Sequence, residues 1–273
     1  MPKISIILPV HNGARFLPRA AESVLRQTFE DWELFIIDDG STDETAEVAK
    51  RFAESDRRIR CARNPKNIGI QKTLNRGLSL SRGEYIARID DDDIWLEADK
   101  LKLQTKFLDE RPDYVLLGTA VCILDESGAE LFRYRLPESD AAIRARMLQR
   151  NCFTHSSVMF RREAAVRAGG YGESENVRHV EDYDLWLRIG RLGKLANLPA
   201  FATGFTLRPG NISSLNKLGQ LMKDLRLTRA YRRDYPGYPF AIIYGYLRLF
   251  GYRLFRILPD FLKSKILRTY KTN

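Results

Sequence analysis

The run ISIILPV at residues 4–10 leads directly into His11 and Asn12. It is almost entirely apolar and rich in β-branched residues, which predicts a strand buried on both faces. Two later runs, WELFIIDDG at 32–40 and YIARIDDDD at 85–93, have the same apolar character and also end in polar residues. Because parallel sheets bind ligands at the carboxyl ends of their strands, we expect these three strand ends to form a site.

Helical spacing separates the apolar runs, so strands alternate with helices. The predicted helices of the first half lie at 15–26, from Ser41 onward, at 70–80 and at 97–110. In the second half we predict strands at 114–124, 156–160 and 201–207, and helices at 140–148, 161–168 and 180–191. This order predicts an α/β fold with a mostly parallel, Rossmann-like sheet flanked by helices, followed by a helical basic extension at 214–273.

Charge is distributed unevenly along the 273 residues. The net charge is +10, and residues 215–273 hold 13 Lys and Arg against three Asp, so the rest of the chain is close to neutral. This pattern indicates a local anionic partner. Interleaved tyrosines in the basic region would also suit nucleic acid, but the chain has no recognised nucleic-acid motif, and we expect no such partner.

Three cysteines, Cys61, Cys122 and Cys152, form neither a C-x-x-C pair nor a zinc spacing. Reduced thiols in a cytosol-facing protein are the simplest interpretation. The first residues do not resemble a signal peptide, and no uncharged run is long enough to span a membrane.

The four aspartates at 90–93 are the strongest local signal. Adjacent carboxylates repel one another unless a cation offsets them, and Mg²⁺ or Mn²⁺ with open positions for phosphate oxygens fits this pattern. The alternative is a solvated loop in which Asp93 caps the helix near Glu97. For Asp93 alone we predict the capping role.

Two further acidic motifs allow a functional and a structural interpretation. Asp39 can accept hydrogen bonds from a base or ribose, whereas Ser41 and Glu44 form the pattern of a capping box. In Glu181-Asp182-Tyr183-Asp184, one of the carboxylates could act as a general base. Acidic residues at a helix start are equally explained by the helix dipole.

Three other side chains have weaker assignments. His155 is either structural or catalytic, and Trp186 lies either in the core or in a site wall. Lys72 is interpreted as a diphosphate contact or as part of a solvated helix face.

Taken in order, the motifs between residues 3 and 213 resemble family 2 of the inverting glycosyltransferases, which have the GT-A fold. They are SIILPVHN (5–12), IDDGSTD (37–43), NIG (67–69), GEYIARIDDDD (83–93), HSSVM (155–159), GGY (169–171) and EDYDLW (181–186). The resemblance implies transfer of a sugar from a nucleotide-diphosphate donor, most simply a UDP-sugar, to an acceptor hydroxyl, with Mn²⁺ or Mg²⁺ as cofactor.

The resemblance also implies residue roles. Asp182 would be the catalytic base, and Asp92 would contact the metal. Asp39 would contact the nucleobase, and Pro9, His11 and Asn12 would line its pocket. Asp90 would bind ribose or the metal shell, and Lys72 and Asp91 are assigned to the nucleotide sugar. The residues assigned to the acceptor or the site wall are His155, Glu181 and Trp186. His11 stands where the family often has Tyr. Arg208 stands where the family often has His, so we expect it to clamp diphosphate oxygens.

On this basis residues 1–213 form the catalytic domain, with a nucleotide-sugar half at 1–110 and an acceptor half at 111–213. The expected acceptor is a saccharide or lipid-linked saccharide in surface polysaccharide or glycolipid assembly. The alternative function is a non-catalytic sugar-nucleotide-binding or scaffold protein, against which the presence of both Asp92 and Asp182 argues.

The basic C-terminal segment at 214–273 is interpreted as a membrane-contacting unit. Residues 238–258 are rich in aromatic and aliphatic side chains but contain three Arg, which suits an interfacial helix on an anionic membrane. A second such segment is expected at 261–270. We therefore expect a cytoplasmic protein, peripheral on the inner face of the cytoplasmic membrane; the alternative is that these helices pack on the domain or form a dimer.

Overall fold

The computed structural model describes residues 1–208 and 217–257, which contain nine strands in one sheet. The strands are β1 (Ile4–Val10), β2 (Trp32–Asp38), β3 (Ile59–Arg63), β4 (Tyr85–Arg88), β5 (Ile94–Trp95), β6 (Tyr114–Leu124), β7 (Glu130–Tyr134), β8 (Met159–Arg161) and β9 (Lys194–Thr206). The helices are α1 (Leu17–Leu25), α2 (Thr45–Ser55), α3 (Ile70–Leu80), α4 (Lys100–Glu110), α5 (Asp140–Arg146), α6 (Arg162–Arg167), α7 (Glu181–Ile189), α8 (Lys217–Ala230) and α9 (Tyr238–Ile257).

The sheet has the strand order β3-β2-β1-β4-β8-β6-β9-β5, and β7 pairs with β6 at the side. β1 to β4 pair in parallel, which aligns Val10 with Asp38 and Ile7 with Arg88. The carboxyl ends of β1, β2 and β4 therefore meet at one edge. In the second half, β8 pairs antiparallel with both β4 and β6, whereas β6 and β9 run parallel. The predicted α/β class, with helices flanking a largely parallel sheet, is confirmed.

Two apolar layers hold helices against the two faces of the sheet. Ile6 and Leu8 of β1 belong to the layer that contains α1, α2 and α4. Ile7 belongs to the opposite layer, with Leu74 of α3 and Trp186 of α7. Successive residues of a strand point to opposite faces, which explains why β1 is apolar throughout.

Two predicted helix starts are wrong. α2 begins at Thr45, and the Ser41 hydroxyl does not cap it but accepts the Asn12 backbone N–H at 2.9 Å. The Asp43 carboxylate instead accepts the backbone N–H of Thr45 at 3.1 Å. α4 begins at Lys100, not near Glu97, and has no side-chain cap.

Two strands also differ from their predicted bounds. β8 begins at Met159, not Ser156, because residues 155–157 form a 3₁₀ turn. β9 begins at Lys194, earlier than the predicted residue 201, since it pairs with β6 over most of that strand's length.

The basic C-terminal segment is helical where it is described, as predicted. None of the helices within residues 1–208 and 217–257 is long and apolar enough to cross a membrane. The second predicted segment at 261–270 lies outside the described residues. The three cysteines are free thiols, as predicted.

Candidate active site

A cavity of about 410 Å³ lies at the edge where β1, β2 and β4 end, between these strand ends and α7. Ten of the side chains selected from the sequence line it: Pro9, His11, Asp39, Asp90, Asp91, Asp92, His155, Glu181, Asp182 and Arg208. The structure thus brings together residues from both halves of the sequence.

Three selected side chains lie outside the lining. Asn12 has a left-handed backbone (φ 52°), and its side chain accepts the Thr42 backbone N–H at 2.8 Å. Lys72 is exposed on α3. Trp186 is fully buried behind His155, with the two ring centroids 5.8 Å apart. Asn12 therefore shapes the turn between two strand ends, and Trp186 supports the cavity wall from behind.

The Asp39 carboxylate organises the loop that forms one end of the cavity. It accepts the side-chain amide of Asn64 at 2.8 Å and the backbone N–H groups of Ile68 and Gly69, each at 2.9 Å. Gly40 next to it has φ 69°, and its α-carbon lies against the backbone at Lys66, where a side chain would not fit. Asp39 is 5% exposed, and part of it still faces the cavity.

The aspartates at 90–92 face the cavity from the end of β4. Asp90 forms a double ion pair with Arg88, whose side chain is 2% exposed. The backbone N–H of Asp90 donates to Ser156 Oγ at 3.0 Å. Asp92 pairs with Arg208, Nε to Oδ2, at 2.6 Å. Burial and the neighbouring carboxylates raise the pKa of Asp91 to about 8, and burial together with Asp90 raises the pKa of Asp92.

The predicted capping role of Asp93 is wrong. Its side chain is 1% exposed; it accepts the Thr206 backbone N–H at 2.9 Å and the Ser156 hydroxyl. Asp93 therefore joins three parts of the fold: the end of β4, the 3₁₀ turn and the end of β9.

Metal binding by this cluster would need ligands besides the described side chains. Within residues 1–208 and 217–257, no group of three or more His, Cys, Asp or Glu is arranged to hold a metal ion. Mg²⁺, however, is commonly bound by one or two carboxylates together with substrate phosphates. The raised pKa values of Asp91 and Asp92 reflect crowded negative charge, which a divalent cation would offset. The donor set thus fits Mg²⁺ or Mn²⁺ shared with a diphosphate.

Asp182 lies in the first turn of α7 and lines the cavity together with Asp39. The Asn151 side-chain amide donates to Asp182 Oδ2 at 2.7 Å, and the Asn151 oxygen accepts the Phe153 backbone N–H at 3.1 Å, which fixes the amide orientation. Burial raises the pKa of Asp182, while hydrogen bonds from Tyr183 N–H and Asn151 and the charge of Arg88 counteract the rise. A held carboxylate with a raised pKa is suited to accept a proton.

Glu181 and His155 complete this side of the cavity. Burial and the adjacent Asp182 raise the pKa of Glu181 to about 7, and Glu181 accepts the His179 backbone N–H at 2.6 Å. His155 Nε2 lies 2.9 Å from the Tyr171 hydroxyl. Burial and the charge of Arg88 hold the pKa of His155 well below its usual value, so the ring is neutral at physiological pH.

Sequence reasoning missed several lining residues, including Arg88, Arg178, His179 and Gln220. Arg88 had a sequence signal, because a charged side chain inside an apolar strand must find a buried partner. Gln220 had none, since α8 reaches the cavity only through tertiary packing.

Residues 5–168 match the family model described as Glycosyl transferase family 2. The amylovoran biosynthesis glycosyltransferase AmsE of Erwinia amylovora is 35% identical over 199 residues, which cover 71% of this chain and 73% of AmsE. Among solved structures, S. aureus TarS 1–349 in complex with UDP-GlcNAc is similar with a TM-score of 0.66 and 19% identity, over 83% of this chain and 66% of that one. The mannosyltransferase PcManGT of Pyrobaculum calidifontis, in complex with GDP-Man and Mn²⁺, has a TM-score of 0.65 and 18% identity, over 99% of this chain and 83% of that one. The two structural likenesses confirm the GT-A fold.

Removal of the Arg88 guanidinium is expected to destabilise the fold. In Arg88→Met, the Asp90 carboxylate loses its partner in a partly buried site, which should lower the free energy of unfolding by about 3 kcal/mol. Urea denaturation measures this change, with Arg60→Met, an exposed position on β3, as the matched control.

The double variant Arg88→Met/Asp90→Asn should recover part of the loss, because residue 90 no longer carries an unpaired charge. A loss in Arg88→Met no larger than in the control would contradict the assignment of Arg88 as the charge partner.

Proposed function

Because the chain belongs to glycosyl transferase family 2, we propose that it transfers a sugar from a nucleotide diphosphate to an acceptor hydroxyl, with inversion at the anomeric carbon and with a divalent metal. The observation that carries the proposal is the single cavity that joins Asp39 and the Asp90–Asp92 cluster to Asp182. The first two groups suit a nucleotide sugar, and the third suits proton removal from an acceptor.

The donor half of the cavity is assigned to the nucleotide. Asp39 can accept an N–H of the nucleobase with the part of its carboxylate that faces the cavity, while Pro9 and His11 flank the base. The structure of TarS with UDP-GlcNAc supports a UDP-sugar as donor. Asp90 is assigned to ribose or to the metal shell, as the family resemblance implies.

The diphosphate is assigned to the space between Asp92 and Arg208. Mn²⁺ or Mg²⁺, which Asp92 and Asp90 would hold, would act there as a Lewis acid on the departing diphosphate. The Mn²⁺ in the PcManGT complex supports this cofactor class. Arg208 presents a planar guanidinium that suits phosphate oxygens. The contacts assigned to Lys72 and Asp91 remain predictions, and Lys72 would have to reach the donor from an exposed position on α3.

The acceptor half is assigned to Asp182. Its carboxylate takes the proton of the acceptor hydroxyl as the oxygen attacks the anomeric carbon. The bond from that carbon to the diphosphate oxygen breaks on the opposite face, so the electron pair leaves with the diphosphate and the configuration inverts. Glu181 and the neutral His155 form the wall beside the incoming acceptor, and Trp186 fixes His155 from behind.

The acceptor is proposed to be a saccharide or lipid-linked saccharide of a surface polysaccharide. AmsE, which supports this class, is named for amylovoran biosynthesis. The proposal assigns residues 1–110 to the nucleotide sugar and residues 111–213 to the acceptor, with Arg208 of the second half reaching the donor diphosphate.

Replacement of Asp182 tests the base. Asp182→Asn should bind UDP as the natural chain does and lose sugar transfer by about 100-fold or more, the usual scale of general-base catalysis. Steady-state transfer and UDP titration measure the two effects, with Glu175→Gln, an exposed carboxylate of the preceding loop, as control. Full transfer by Asp182→Asn, or a product of retained configuration, would rule out the mechanism.

Replacement of Asn151 tests how the base is held. The amide of Asn151 stabilises the charged carboxylate of Asp182, so Asn151→Ala should raise the pKa of that carboxylate. Since the base acts only when deprotonated, the acidic limb of the kcat/KM–pH profile should move to higher pH. Gln149→Ala is the control, and a profile unchanged in Asn151→Ala would show that the contact does not tune the base.

Replacement of Arg208 tests the diphosphate assignment. Arg208→Ala should weaken binding of UDP more than binding of uridine, because only UDP carries the phosphates that the guanidinium contacts. Calorimetric titration of both ligands measures the difference, with the exposed Arg15→Ala as control. An equal loss for UDP and uridine would place Arg208 elsewhere in the reaction.

A further inference from the structure

One face of α9 carries a stripe of exposed apolar side chains. Its members recur at helical spacings of three and four residues and are each 46–66% exposed: Phe240, Ile243, Leu247, Phe250 and Leu254. We call this set the α9 stripe. A regular stripe of this kind marks a contact surface, unlike apolar residues scattered singly over a protein.

The opposite face of α9 packs on α8, which fixes the direction of the stripe. Ala241 is 1% exposed, and Gly245 lies directly against Leu225 of α8. Arg248 Nη1 donates to the Gln149 carbonyl at 3.1 Å and lies 3.8 Å from Asp224. These contacts anchor α9 to the domain and leave the stripe facing outward.

The surroundings of the stripe are strongly basic. Residues 238–257 contain three Arg and no acidic residue. Arg253 is exposed beside the stripe, and Arg226, Arg229, Arg232 and Arg233 are exposed on α8 and the connection that follows it. The two acidic residues of the described segment 217–257 are each paired with Arg: Asp224 with Arg248, and Asp234 with Arg191 at 3.2 Å. The outward charge of this unit is therefore positive.

We infer that the α9 stripe docks the chain on an anionic lipid bilayer, with α9 lying in the interface. Apolar side chains would enter the boundary between headgroups and acyl chains, while Arg253 and Arg229, which donates to the Tyr246 hydroxyl of α9, would meet lipid phosphates. A second copy of this chain is a poorer occupant. A twofold contact through the stripe would bring two basic, acid-free helices together with no opposite charge to offset them.

Docking at this face has a consequence for the acceptor side of the cavity. Lys223 of α8 donates to the Arg178 carbonyl at 2.8 Å, and Gln220 donates to the His179 carbonyl at 3.4 Å. The helix that supports α9 thus also holds the loop before Asp182. If the proposed function is correct, this arrangement brings the acceptor side close to the lipid surface and favours a lipid-linked acceptor. The docking itself does not depend on the reaction.

Vesicle co-sedimentation of the full chain tests the inference. Phosphatidylglycerol–phosphatidylcholine vesicles should pellet the natural chain at low salt, and pure phosphatidylcholine vesicles should pellet far less. Leu247→Glu/Phe250→Glu should lower the vesicle partition coefficient at least about tenfold, because two apolar side chains that would enter the bilayer are lost and negative charge is added. Leu131→Glu/Phe132→Glu, at exposed apolar positions of β7, is the matched control and should pellet as the natural chain does.

Circular dichroism and UDP binding of each variant separate loss of docking from loss of fold or donor site. Equal pelleting of the stripe variant and the natural chain would overturn the inference. So would a natural chain that fails to pellet but forms a dimer, by light scattering, which the stripe variant abolishes. Failure of sugar transfer alongside stripe-dependent pelleting would count against the proposed function alone.

Discussion

The buried ion pair of Arg88 with Asp90 is the interaction on which the cavity depends. Six carboxylates line this one space, and their mutual repulsion would be costly without positive charge among them. Arg88 is placed by the strand itself: in β4 it pairs in register with Ile7 of β1 and is 2% exposed. Its charge counteracts the raised pKa of both Glu181 and Asp182, so a single guanidinium stabilises acidic groups on both sides of the cavity.

The crowding of carboxylates in the cavity also links charge to ligand binding. Burial and neighbouring carboxylates raise the pKa of Asp91 and Asp92, and the Arg208 guanidinium together with a backbone hydrogen bond opposes the rise at Asp92. A donor that arrives with a divalent cation would relieve this repulsion and add contacts to its phosphates. Electrostatics then favours joint binding of metal and diphosphate over binding of either alone.

Much of the fold could be predicted wherever the sequence contains a continuous apolar run or a helix-periodic run. The bounds of β1, β6 and α3 agree with their predicted ranges because each is a continuous apolar or periodic run. Asp93 and Ser41 were misassigned because their partners, Thr206 and Asn12, are distant in sequence, and a local capping rule cannot anticipate such contacts. Ten of the thirteen selected side chains line the cavity, and six of these lie at the ends of β1, β2 and β4, which meet because these strands pair in parallel. The contribution of α8, through Gln220, follows only from tertiary packing.

The central claim is that the Asp39 end of the cavity holds the nucleobase and the Asp92–Arg208 pair holds the diphosphate, with Asp182 left free to face an acceptor. A crystal structure of the chain with UDP and Mn²⁺ measures this most directly, because anomalous scattering locates the metal independently of the ligand. The expected result is uracil beside Asp39, with Mn²⁺ bonded to Asp92 and to the diphosphate. UDP bound outside this cavity, or bound within it with its diphosphate away from both Asp92 and Arg208, would contradict the claim.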